Sequence, residues 1–128
     1  MPVLIVEDEI MVAMLVEDLL TDLGCDVTGP AVSAETAVEA ARREIVDFAL
    51  LDVNLDGGTS FAAADILRAR GVPFAFVTGY EADTVDERFS KVPVLQKPIE
   101  RQMLQRLFVP NAGAATPFFG RAKAQAHN

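Results

Sequence analysis

Three short runs, "PVLIV" (2–6), "VDFALL" (46–51) and "VPFAFV" (72–77), are apolar without the in-and-out alternation of a strand that has one wet face. Strands buried on both faces belong to a sheet covered by helices on both sides. "DVTGP" (26–30) and "VPVLQ" (92–96) read as two further strands, and helical patterns fill the gaps. Val12, Leu15, Val16, Leu19 and Leu23 form a helical stripe that stops at Gly24, a natural residue for the position just past a helix. Ser33 is a good N-cap for a second helix with Ala37, Val38 and Ala41 inward. Thr59 or Ser60 caps a third, carrying Ala63, Ile66 and Leu67 and closed by Gly71. A weak fourth helix is expected over about 81–89, and a fifth is expected to start at Pro98, with Leu104, Leu107 and Phe108 apolar. Strict alternation of strand and helix with short connections predicts an α/β fold, a parallel five-stranded sheet with right-handed crossovers between two helical layers.

A length of 128 residues, 51% of them apolar, fits one domain with one substantial core. The net charge of −8 argues against a nucleic-acid surface, whose footprint is a basic stripe. A lone Cys25 cannot form an internal disulfide, and no apolar run approaches the roughly 20 residues that cross a bilayer. With nothing at the N-terminus that looks like a signal peptide, the sequence predicts a soluble cytoplasmic protein with no membrane partner.

In an open parallel sheet the functional crevice lies beyond the carboxyl ends of the strands. Strand one ends in Glu7 and Asp8, strand three in Asp52, strand four in Thr78, and strand five in Lys97. Each has a plainer reading when taken singly. An acid after a strand commonly caps a helix, Thr78 is a turn hydroxyl, and Lys97 is a surface lysine; Glu9 reads as solvated and Asp56 as a loop residue before Gly57 and Gly58. Jointly those readings weaken, because carboxylates about 4–5 Å apart in a partly buried pocket repel by several kcal/mol per pair at an effective dielectric near 20. A positive charge must sit among them, and Lys97 together with Mg²⁺, which suits an all-oxygen site, provides it. A carboxylate so placed can attack an activated phosphorus atom and form an aspartyl phosphate.

The motifs "VEDE" (6–9), "LLDVNL" (50–55), "VTGY" (77–80) and "QKPI" (96–99) give the chain a specific resemblance, over about residues 2–108, to response-regulator receiver domains of two-component signalling. The resemblance implies a flavodoxin-like (βα)5 sandwich of strand order 2-1-3-4-5 and a cis Lys97-Pro98 bond. It implies Asp52 as phospho-acceptor, Mg²⁺ bound by Asp8, Asp52 and the backbone carbonyl of Asn54 with Glu7 acting largely through water, and Thr78 and Lys97 on the phosphoryl oxygens. Receivers often carry an aromatic residue on strand five; here only Val94 or Leu95 stands in that stretch, as in the subgroup with Thr-Gly-Tyr after strand four. Tyr80 is expected to replace it, in a switch made of Thr78, Gly79, Tyr80 and Pro98, with Gly79 letting the backbone close over the phosphate.

Residues 1–109 are accordingly expected to form the receiver domain and residues 110–128 a flexible tail, Ala/Gly-rich and free of acids, in which "PFFGR" is the one segment suited to docking. The tail's His127 is not expected to be a phosphodonor. The function implied is that of a stand-alone response regulator, not an enzyme. It would accept phosphate from a histidine kinase or histidine phosphotransfer protein and bind a downstream protein through the face of the fourth helix, fifth strand and fifth helix. Two rivals stand beside it. A Mg²⁺-dependent phosphohydrolase would use Asp52 as nucleophile but wants a second acid where Asn54 stands, and a pseudo-receiver would bind partners without phosphorylation.

Overall fold

The computed structural model describes residues 1–79 and 85–108. Its central sheet contains β1 (Pro2–Val6), β2 (Asp26–Ala31), β3 (Phe48–Asp52), β6 (Phe74–Thr78) and β7 (Val94–Gln96), all parallel, in the order β2-β1-β3-β6-β7. Counted along the sheet's own five strands, that is the expected order 2-1-3-4-5. A separate ribbon pairs β4 (Asn54–Leu55) with β5 (Gly58–Thr59), antiparallel, immediately after β3. The helices are α1 (Ile10–Asp22), α2 (Ala34–Arg43), α3 (Phe61–Ala69) and α4 (Arg101–Phe108), with a single 3-10 turn at Glu87–Phe89.

Burial follows the pleat. Leu4, Val6, Leu51 and Phe76 point to one side of the sheet, where they pack with Ala37 and Ala41 of α2, Ala63 and Leu67 of α3, and Phe89. Val3, Ile5, Leu50 and Val77 point to the other, against Val16 and Leu20 of α1 and Leu104 and Leu107 of α4. Because β1, β3 and β6 feed both layers they are buried almost throughout, as their unbroken apolar runs require. On the first side Phe61, Phe74, Phe76 and Phe89 form an aromatic cluster, Phe76 and Phe89 lying edge to face at 5.3 Å.

Several local expectations are met. Gly24 (φ +89°) and Gly71 (φ +75°) follow α1 and α3 in the left-handed region that closes a helix. Ser33 caps α2 through a reciprocal box, its Oγ accepting from the Thr36 amide at 3.1 Å while Thr36 Oγ1 accepts from the Ser33 amide at 3.0 Å. Replacing Ser33 by Ala is expected to cost about 1 kcal/mol, read as a lower urea midpoint at unchanged slope.

Others need correction. The inward face of α1 is Ala13, Val16 and Leu20; Val12, Leu19 and Leu23 are half-buried, and Leu15 is 47% exposed. The fifth helical segment starts at Arg101 rather than Pro98. The Lys97-Pro98 bond is cis, as expected, and the chain first buries Ile99 before Glu100 accepts the amides of Met103 and Leu104. Within the expected fourth helix, the described residues form only the 3-10 turn, held by Asp86 accepting from the Arg88 amide at 3.0 Å. Ser60 occupies the N-cap position of α3 with its Oγ buried and without a hydrogen-bond partner among the described residues, while Thr59 Oγ1 accepts from the Phe61 amide at 3.4 Å. Gly29-Pro30 is a second cis bond; Gly29 has φ +104°, and a Cβ there would lie 2.7 Å from the Ile5 carbonyl, so only glycine fits.

Candidate functional site

The carboxyl ends of β1, β3, β6 and β7 bring a set of polar groups to one edge of the sheet. Glu7 follows β1 and is 4% exposed, Asp52 closes β3 at 6%, and Thr78 closes β6 at 7%. Asp8 is half-buried beside Glu7. Thr78 follows Val77, the register partner of Asp52, and its carbonyl accepts the Lys97 amide at 2.8 Å. That bond fixes the start of the Lys97 side chain one strand further over.

Lys97 Nζ then reaches back across the sheet edge. It lies 3.2 Å from Glu7 Oε1, 3.4 Å from Asp52 Oδ2 and 3.2 Å from Glu9 Oε1. Glu9, read from the sequence as solvated, is thus a fourth acid of the site, its side chain 65% exposed but reaching the ammonium. Its sequence signal was adjacency alone, since a residue two places after a strand can face the cleft or solvent. Burial pulls the Lys97 ammonium toward neutrality, but attraction to Asp52 and Glu7 and hydrogen bonds to Glu7 and Glu9 outweigh it and hold its pKa above the usual lysine range. Burial, the hydrogen-bonded Glu7 carboxyl and its charge push Asp52 up to about 7, against the lesser pull of Lys97.

Oxygen atoms of Glu7, Asp8 and Asp52 lie within 4.8 Å of one another, a spacing at which they could share a cation. Glu7, Asp8, Glu9 and Asp52 set four carboxyl groups against the one ammonium group of Lys97, an excess of negative charge that a divalent cation would offset. The donors are oxygen only, which fits Mg²⁺ rather than a softer metal. Asn54 lies two residues past Asp52 in the β4–β5 ribbon, solvent-exposed and paired in register with Thr59.

Among the other residues singled out, Pro98 is exposed at the cis bond. Gly79 does not take a left-handed φ, and a Cβ there would make ordinary contact with Lys97 Cδ at 4.0 Å, so this geometry does not itself demand glycine. Tyr80 and the tail residues 110–128 lie outside the described residues. Val94 is 47% exposed, while Leu95 packs toward the α1–α4 layer, so neither takes the place of an inward aromatic.

Against known families, residues 3–108 match the profile of the response regulator receiver domain. The chain belongs to that family. This receiver is 34% identical over 102 residues to the phyllosphere-induced regulator PhyR of Methylorubrum extorquens, covering 77% of this chain but only 38% of PhyR. It is 42% identical to SdrG of Sphingomonas melonis Fr1 over 82% of this chain and 90% of that one, with a TM-score of 0.74 for the solution structure. The beryllofluoride-activated conformation of SdrG superposes with a TM-score of 0.69 over the same shares. Among the described residues, no helix of this receiver is long and apolar enough to cross a membrane.

Proposed function

We propose that Asp52 accepts a phosphoryl group from the phosphohistidine of a histidine kinase or histidine phosphotransfer protein, and that the phosphorylated chain signals by binding another protein. The observation that carries this reading is the buried pair Asp52 and Glu7 held at 3.4 and 3.2 Å by the single ammonium group of Lys97. Such a site is short of positive charge and has a nucleophile at its centre. An Asp52 oxygen attacks the phosphorus, the P–O bond forms as the P–N bond breaks, and the histidine keeps the electron pair as its imidazole leaves. Lys97 pairs with a phosphoryl oxygen and the Thr78 hydroxyl donates to another. Glu7, Asp8, Asp52 and the Asn54 carbonyl would hold Mg²⁺, which when bound neutralises charge on the phosphoryl oxygens.

The likeness to SdrG, a protein with a beryllofluoride-activated conformation, supports the reading, since beryllofluoride mimics a phosphoryl group on a carboxylate. Asn54 in place of a second acid disfavours a phosphohydrolase, and the complete Asp52, Thr78 and Lys97 set disfavours a phosphorylation-independent module. The reading places the receiver unit over residues 1–109 in the cytoplasm, with Thr78, Gly79, Tyr80 and Pro98 as its switch. Its output face is the segment around residues 85–89 with β7 and α4. Incubation with acetyl phosphate and Mg²⁺, followed by mass mapping, is expected to place the adduct on Asp52; an adduct on Asp56 would sink the assignment.

Lys97 gives a second test. As the fixed cation on the loop after β7, it is the group that reports phosphate at Asp52 to that strand, and its loss breaks the report without removing the nucleophile. Lys97→Ala is expected to keep beryllofluoride binding to Asp52 while losing most of the amide shift changes at Thr78 and across Val94–Gln96. Shift changes equal to wild type throughout would make Lys97 a structural residue only.

A further inference from the structure

The solvent face of α1 is unusually apolar. Ile10 is 54% exposed, Met11 84%, Met14 60% and Leu15 47%. At spacings of three and four residues these side chains stand next to one another on the helix surface and form one patch of roughly a few hundred Å², the size that on monomeric proteins marks an interaction site. The patch opens into a cavity of about 360 Å³ whose walls include Val12, Leu15, Pro98 and Ile99, together with Gly79 and Lys97 of the cleft. Glu17 and Asp18, both exposed, stand one turn beyond Met14.

We propose that the chain's own segment Pro117–Arg121, "PFFGR", occupies this surface, with Phe118 and Phe119 on the α1 patch and at the mouth of the cavity and the positive charges of Arg121 and Lys123 near Glu17 and Asp18. Three observations select this occupant. The first is chemistry: the segment carries the two phenylalanines of a tail that is otherwise mostly small and polar, and a phenyl ring suits a methionine-rich surface. The second is charge. Residues 1–108 contain all 19 acids and only nine of the 11 bases, whereas residues 109–128 have Arg121 and Lys123 and no acid.

The third is reach. Phe108, the last described residue, lies edge to face with Phe48 at 5.0 Å, at the end of β3 opposite Asp52. The Arg101–Asp22 ion pair at 3.4 Å sets α4 beside the final turn of α1. Ten residues from Phe108 to Phe118 span up to about 33 Å, whereas α1 is about 18 Å long, so the segment reaches any point on that helix. Covalent attachment supplies an effective concentration on the order of millimolar, enough to populate even weak docking. Docked there, the segment borders the cleft, because the cavity shares Gly79 and Lys97 with it.

Methyl-labelled methionine tests this in the full chain, whose four methionines give two reporters on the patch, Met11 and Met14, and a distant reference in Met1. The expected result is nuclear Overhauser contacts from phenylalanine ring protons to the Met11 and Met14 methyls that are lost in the double variant Phe118→Ala/Phe119→Ala. The same variant should shift those two methyl signals and leave Met1 in place. Contacts that persist on tenfold dilution support docking within one chain, and contacts that fade overturn it in favour of a second copy. Unchanged Met11 and Met14 shifts in the double variant, with no ring contacts in the wild type, also overturn it. The core layers of the described residues are built without these two positions, so the double variant tests docking rather than folding.

Discussion

Asp52→Asn is expected to reduce phosphoryl incorporation from acetyl phosphate or a phosphohistidine donor to background, while Asp56→Asn stays within about twofold of wild type. The asymmetry follows from placement. Asp52 is the last residue of the most buried strand, 6% exposed, with the Lys97 ammonium at 3.4 Å. Asp56 is exposed in the turn after β4, and its carbonyl is engaged by the Ala34 amide at 2.9 Å. An amide at position 52 keeps the shape but removes the nucleophilic oxygen and one of the three clustered carboxylates. Chelating Mg²⁺ from wild type is expected to give the same loss with the fold intact, since Glu7, Asp8 and Asp52 would otherwise meet the incoming phosphate with only Lys97 to offset them. Residual labelling of Asp52→Asn, or undiminished labelling in EDTA, would mean that another group is the acceptor or that the metal is not needed.

Which parts of this site can be read from sequence depends on how tightly each residue is tied to the sheet. Glu7, Asp52 and Thr78 were legible because a strand that is buried along its length can turn polar only at its end, and in a parallel sheet those ends share one edge. Glu9 was not, since its role depends on the reach of Lys97 from a chain segment 88 residues away. The buried face of α1 departs from the sequence stripe for a different reason. The helix is apolar nearly all round, so several stripes fit the period, and contact with the sheet selects Ala13, Val16 and Leu20. The small residue at 13 is what the close approach of α1 to the sheet favours, and Leu15 is left outside. The ribbon β4–β5 has two residues per strand, too few for any periodicity to register. Pro98 satisfies the rule for a helix start, yet the chain first buries Ile99 and the helix begins at Arg101.

The crowding around Asp52 predicts a stability profile opposite to that of an ordinary salt-bridged acid. In the folded protein without metal its pKa is pushed up to about 7 from an ordinary value of 3.8, chiefly by burial and by Glu7. Between those two pH values the folded state holds a proton that the unfolded chain has released, so stability falls as pH rises through the window and the full penalty is in place above it. Taken whole, the shift would be worth roughly 4 kcal/mol; screening by water at the cleft mouth reduces this to about 1–2 kcal/mol. Asparagine at position 52 does not titrate, and Lys97 keeps Glu7 and Glu9 at 3.2 Å. In EDTA the melting temperature of Asp52→Asn should therefore equal that of wild type near pH 4 and exceed it by roughly 5 °C at pH 8. Excess Mg²⁺ should reverse the order at pH 8, because a ligand that binds only the folded wild type raises its melting temperature and gains little from the variant. An Asp52→Asn protein less stable than wild type in EDTA at pH 8 would mean that Lys97 fully compensates the Asp52 charge, and that the site does not need a divalent ion to balance it.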